Sequence, residues 1–206
     1  MAAGRPRGID DAAILRATVV VIGRLGPVGL TLAAVADEVG LVPGTLVQRF
    51  GSKRGLLLAL AERAAEDADG VLERFRAEHE SALAALAALI VASAGSMATP
   101  ETFANHLAFL CIDLTDPEFR APALAIHQAQ GRAIEALLTE SLVAGDLRPG
   151  TDVAALVGSV QAIASGAGLL WALDRRDTLE QRLRHALDSV LSPHLRPHRS
   201  DDLEES

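Results

Sequence analysis

Alanine and leucine fill 38 and 32 of the 206 positions, and a chain one-third built from these two strong helix formers has little with which to make a sheet. An all-α fold is therefore expected. The one run that could be a buried strand, Val19-Val20-Val21-Ile22, is β-branched throughout but has no evident partner strand. Half the chain is apolar, enough for a sizeable core, and its length fits one large domain or two small ones.

Caps and breakers divide the chain into about nine helices. The first follows Asp10-Asp11, carries Ile14, Ala17, Thr18, Val21 and Ile22 on one face, and stops near Gly26-Pro27. Thr31 caps a short second helix ended by Gly40, Pro43 opens a third that reaches about Arg49, and Ser52 caps a fourth with Leu56, Leu57 and Leu60 inward. The pattern stays helical but becomes charged from Ala59 to Arg76. Further helices are expected at about 79–97, 101–114, 121–144, 152–173 and 178–191, with a frayed tail from Pro193. A boundary near residue 60 gives domains of 1–60 and 61–206.

The net charge of −8 argues against a polyanionic partner only as an average. Residues 1–60 hold seven basic side chains (Arg5, Arg7, Arg16, Arg24, Arg49, Lys53, Arg54) against four acidic ones, whereas the remainder is strongly acidic. The N-terminal quarter is thus the part suited to nucleic acid.

Within that quarter, Ala36 stands four residues before Gly40 and Leu46 six after it. This is the helix-turn-helix pattern, in which a small residue lets two helices approach and glycine takes the turn. The segment Thr45-Leu46-Val47-Gln48-Arg49-Phe50-Gly51-Ser52-Lys53-Arg54-Gly55-Leu56-Leu57 makes the resemblance specific. Together with Ile14-Leu15-Arg16-Ala17 and Thr31 to Gly40, it resembles the DNA-binding domain of the TetR family of transcriptional regulators. The resemblance implies a homodimer on a palindromic DNA operator, with a C-terminal helical domain for ligand binding and dimerisation, acting more often as repressor than activator. It also implies phosphate contacts from Thr31 and Lys53, and base or phosphate contacts from Pro43, Gly44, Thr45 and Gln48. Arg49, and Arg5 and Arg7 as an arm reaching a minor groove, would add anchoring. Val42 and Val47 depart from the family's habitual Ser or Thr cap and Tyr, which removes two phosphate contacts and leaves a helical ligand carrier or adaptor as the alternative reading.

Other chemistry is thin. The lone Cys111 gives no disulfide framework, Met1 to Asp10 has no signal-peptide core, and the cytoplasm is the expected compartment. His194 and His198 are separated by prolines that break a shared helical face, so no metal and no cofactor are expected. Nor does a nucleophile with its base or a phosphate-cradling glycine loop stand out, so the chain does not read as an enzyme.

Polar or soft groups in the apolar helices, namely His106, Cys111, His127, Gln161 and Trp171, are candidates to line a pocket for an apolar, uncharged molecule. Val153 to Leu173 is free of charge and long enough to span a bilayer, but Ser159, Gln161, Ser165 and three glycines argue against a membrane. Its stripe Ala154, Gly158, Ala162, Gly166 permits a close helix crossing, and Leu179, Leu183, Leu187 and Val190 form a second apolar face. Both are expected at a dimer seam.

Overall fold

The computed structural model describes residues 9–95 and 97–196. Among the described residues there are ten α-helices and no strand: α1 Asp11–Gly29, α2 Leu32–Glu38, α3 Pro43–Phe50, α4 Lys53–Ala68, α5 Val71–Glu78, α6 Ala82–Ser93, α7 Pro100–Thr115, α8 Pro117–Ala144, α9 Val153–Asp174 and α10 Leu179–Leu191. The tenth helix arises because the charged run after residue 60 is not continuous. It breaks at Asp69-Gly70, and α5 then turns Phe75 into a buried position, stacked on His79. Glycine is the weakest helix former short of proline, so the break falls where continuing the helix is least favourable.

The chain forms two compact units, residues 1–67 with 96–126 and residues 68–95 with 127–206. The first contains α1 to α4, α7 and the start of α8. Its core is Ile14, Leu15, Val21 and Ile22 of α1, Val35 and Ala36 of α2, Leu46 of α3 and Leu56 of α4. The β-branched run of α1 suits a helix because Val21 and Ile22 continue the buried face of Ile14, Leu15 and Thr18 at helical spacing, while Val20 is half-exposed. The caps fall as the sequence implies, with Asp10, Thr31 and Ser52 accepting from the N–H groups of Ala13, Ala34 and Gly55. Gly40 takes φ +68° in the turn between α2 and α3.

Regular helix in α1 ends at Gly26, which adopts φ +64° and ψ −175°; a single further turn through Pro27 reaches Gly29. The break is clamped by α7, which packs along α1. Asn105 Nδ2 donates to the Gly23 carbonyl at 2.8 Å, and its Oδ1 lies 2.5 Å from where a Cβ on Gly26 would sit.

The second unit holds α5, α6, the rest of α8, α9, α10 and a short 3-10 turn, with Leu86, Ile90, Ile134, Leu137, Leu138 and Leu187 fully or almost fully buried. The stretch expected to fray is held as far as Arg196. Arg148 N donates to His194 O and Arg196 N to Asp146 O, while Leu147 and Leu195 form an isolated antiparallel bridge. His198 lies outside the described residues. Helices α1 and α9 have the length and mean hydropathy of a membrane span; α1 turns its apolar face into its own core, whereas only 22% of the most apolar window of α9 is buried.

Replacing Gly26 by Ala should cost about 1–3 kcal/mol, since the residue combines a left-handed φ with a clash against a side chain already held by a hydrogen bond. Urea denaturation measures this, and an unchanged midpoint would mean that Asn105 moves aside freely.

Candidate nucleic-acid interface and ligand cavity

Helix α3 buries Leu46 and exposes Val42, Pro43, Gly44, Val47, Gln48 and Arg49, with Thr45 half-buried. No side chain caps its N-terminus, because Val42 stands at the cap position. Pro43 has no N–H and Thr45 N donates to the Val42 carbonyl at 2.9 Å, so Gly44 N–H is the first-turn donor left to meet an anion. Gln48 is exposed and unbonded, as a base-reading side chain must be. Thr31 is exposed at the start of α2 with its hydroxyl accepting from Ala34 N.

The basic side chains are less free than their number suggests. Arg49 donates to the Ile9 carbonyl and to Asp11, bracing the start of α1; Arg24 pairs with Glu38; Lys53 Nζ donates to the Pro27 carbonyl at 2.6 Å. Arg54 donates to Asp116 and Glu118 and lies over the Phe119 ring. These hydrogen bonds, Asp116 first, push its guanidinium further up, and Arg54 in turn holds the Asp116 carboxyl below the usual range. Of the described basic residues among the first sixty, only Arg16 makes no hydrogen bond or ion pair. Arg5 and Arg7 lie outside the described residues.

A cavity of about 530 Å³ opens within the first unit, walled by α1, α4, α7 and the start of α8. Val19, Ile22, Leu57, Leu60, Phe109 and Ile112 give it an apolar surface, into which His106 and Asp113 bring polar groups and on which Lys53 and Arg54 border. No residue of α7 is fully buried: Phe109 and Ile112 are half-buried where they line the cavity, and Leu114 is exposed. His106 Nε2 is buried against Gly23 without a hydrogen-bond partner, and desolvation lowers the imidazole pKa, favouring the neutral ring. Asp113 has no hydrogen bond or ion pair, and desolvation raises its carboxyl pKa.

Of the five side chains expected in a pocket, only His106 lines this cavity. Cys111 is exposed on another side of α7. His127 and Gln161 border a smaller hollow of about 420 Å³ in the second unit, where Gln161 Nε2 donates to the His127 carbonyl at 3.1 Å. Trp171 is a core residue whose Nε1 donates to Asp177 O. The reason for the miss is that helical spacing specifies a face but not what covers it. Asp113 was the missed signal: it is the only charged residue between Glu101 and Asp116, two turns after His106 in an otherwise apolar helix.

The expected seam divides in the same way. Leu179, Leu183 and Leu187 are buried within the chain, where α10 packs on α9 and α6, and Val190 is half-buried; these leucines are core, not surface. Ala154, Gly158 and Ala162 are exposed and Gly166 is half-exposed, with open space where Cβ atoms on the two glycines would stand. Leu169, Leu170 and Leu173 extend this uncovered apolar face.

Residues 14–60 match the family described as bacterial regulatory proteins, tetR family. No curated protein matches the chain. Among solved structures, the chain is similar to a protein from Rhodococcus sp. assigned as a TetR-family transcriptional regulator, at 25% identity and TM-score 0.62, covering 88% of this chain and 98% of that one. It shares its fold with a protein from Saccharomonospora viridis assigned as a transcriptional regulator and solved in complex with choline (19% identity, TM-score 0.70, covering 91% and 98%). It also shares it with the transcriptional regulator FadR from Bacillus subtilis in complex with stearoyl-CoA (20% identity, TM-score 0.62, covering 87% and 96%).

Asp113→Asn should stabilise the protein at neutral pH. A carboxyl whose folded pKa is raised is more easily ionised in the unfolded chain, so its cost is fully present above the folded pKa and disappears below the unfolded value near 3.8. Thermal melts of both proteins from pH 3.5 to 7.5 should converge at the acid end; a constant gap across that range would exclude titration of Asp113 as the cause.

Proposed function

We propose that the chain, whose residues 14–60 match the tetR family of bacterial regulatory proteins, is a transcriptional regulator of that family, a cytoplasmic homodimeric repressor of a palindromic operator released by a small hydrophobic molecule. The proposed DNA contacts fall before about residue 60, whereas the cavity draws its lining from both sides of that point. The exposed first turn of α3 with Gln48 carries the DNA-binding half of this reading, because an uncapped helix start and a free amide are what a phosphate and an adenine edge require.

In this reading Lys53, Thr31 and Gly44 N–H meet phosphates, while the side chains of Pro43, Thr45 and Gln48 and the Gly44 backbone lie along the base edges. Surface pairs such as Arg24–Glu38 and Arg49–Asp11 are individually worth little, so a phosphate can take over one of their cations at small cost. Apolar Val42 and Val47 put more of the anchoring on these groups.

The cavity supports the ligand half. Lys53 and Arg54 stand at the start of α4 and border the cavity, and they also tie α4 to the end of α1 and to Asp116 and Glu118. A ligand that moves this end of α4 therefore acts on the residues expected to hold DNA. It changes DNA affinity only insofar as it prefers one of two arrangements.

Dimerisation through α9 is supported by its uncovered apolar face, since a second copy of the same face across a two-fold axis would bury it. The two-fold axis in turn requires an operator with matching half-sites.

Gln48→Ala should relax base preference at one position of each half-site by about 1–3 kcal/mol, read by competition between operator variants in a salt-controlled fluorescence assay. Uniform weakening at every sequence would remove Gln48 from base reading. Gly158→Leu has room within its own chain, so it should keep the helix content of the natural protein yet elute as a monomer and lose operator binding. A folded variant that remains dimeric would move the seam elsewhere.

A further inference from the structure

We propose that the cavity takes an amphipathic amine, a hydrophobic molecule whose protonated nitrogen meets the Asp113 carboxylate. This deepens the reading of the cavity as the regulator's ligand site and rests on it.

The fold by itself does not set the charge of the ligand, since its relatives are solved with a cation, choline, and with the anionic thioester stearoyl-CoA. The lining does. Three ionic side chains border the cavity. Lys53 is held by the Pro27 carbonyl, and Arg54 is held by two carboxylates that more than balance its charge. Counting Asp116 and Glu118, which hold Arg54 but are not themselves in the lining, Lys53 and Arg54 carry +2 against −3 for these two and Asp113. His106 adds none, because its half-buried ring is favoured in the neutral form. Asp113 is the one charged group of the lining without a protein partner, and its partial desolvation is uncompensated.

The consequences differ by ligand class. An anion entering this space is repelled by Asp113 and has only the spare donors of Lys53, at the start of α4, to meet. A neutral hydrocarbon fills the apolar wall but removes further water from Asp113 and leaves it unpaired. A cationic nitrogen on an apolar body satisfies the carboxylate with a charge-assisted hydrogen bond while the remaining surface meets Leu57, Leu60, Phe109 and Ile112.

The test uses the full-length protein and three probes of equal chain length, decylamine, 1-decanol and decanoate, titrated at pH 7 by calorimetry below their aggregation concentrations. Decylamine should bind at least about tenfold more tightly than decanol, with decanoate weakest. In Asp113→Asn, whose fold is checked by thermal melting, the ratio of amine to alcohol affinity should fall to within about twofold. Equal or tighter binding of decanol or decanoate to the natural protein, or an amine preference that survives Asp113→Asn, would overturn the proposal while leaving the cavity as a ligand site. Failure of all three probes to bind would overturn the ligand-site reading together with it.

Discussion

The clamp of α7 on α1 is the contact on which the first unit depends. Asn105 donates to the Gly23 carbonyl, and His106 Nε2 lies 3.3 Å from where a Cβ on Gly23 would sit, so glycine there leaves room for the close approach; Gly26 then turns the chain away in a conformation that favours glycine. With α7 fixed there, His106 and Asp113 face the space beside α4, and that space is the cavity. A helix that begins fifty residues after the end of the helix-turn-helix thereby becomes part of the same packed unit as the helix-turn-helix itself.

This arrangement joins the two halves of the functional reading without a long route. Lys53 and Arg54 are adjacent at the start of α4, both border the cavity, and one is tied to α1 and the other to the start of α8. Charge that sequence counting assigns to a polyanion is used largely within the protein. In the proposed reading, attraction for DNA then rests on Arg16, the spare donors of Lys53 and Gly44 N–H, with the exposed pairs able to exchange partners.

The second unit shows how one pattern can support two outcomes. Helices α9 and α10 each present an apolar face in the sequence, and one chain has material to cover only one of them. It covers the leucines of α10, which are large and release the most apolar surface, and leaves the small side chains of α9 outside. An uncovered stripe of glycine and alanine costs little to a lone chain and allows close approach by another helix.

Short-range chemistry was legible in the residues alone. The caps at Asp10, Thr31 and Ser52, the glycine turn at Gly40, the start of α3 at Pro43 and the division of each helix into faces depend on neighbours a few positions away, so the sequence determined them. The same holds for the motif in residues 14–60. What the tertiary structure decided is which face met which. His106 lines a cavity while Trp171 fills a core and Cys111 faces out, although all three sit in similar apolar runs. Leu187 is buried and Gly158 is not, and Arg49 is turned to Asp11. These outcomes follow from contacts between residues far apart in the chain, such as Asn105 with Gly23 or Arg54 with Asp116, and helical periodicity, which repeats every turn, does not encode the partner.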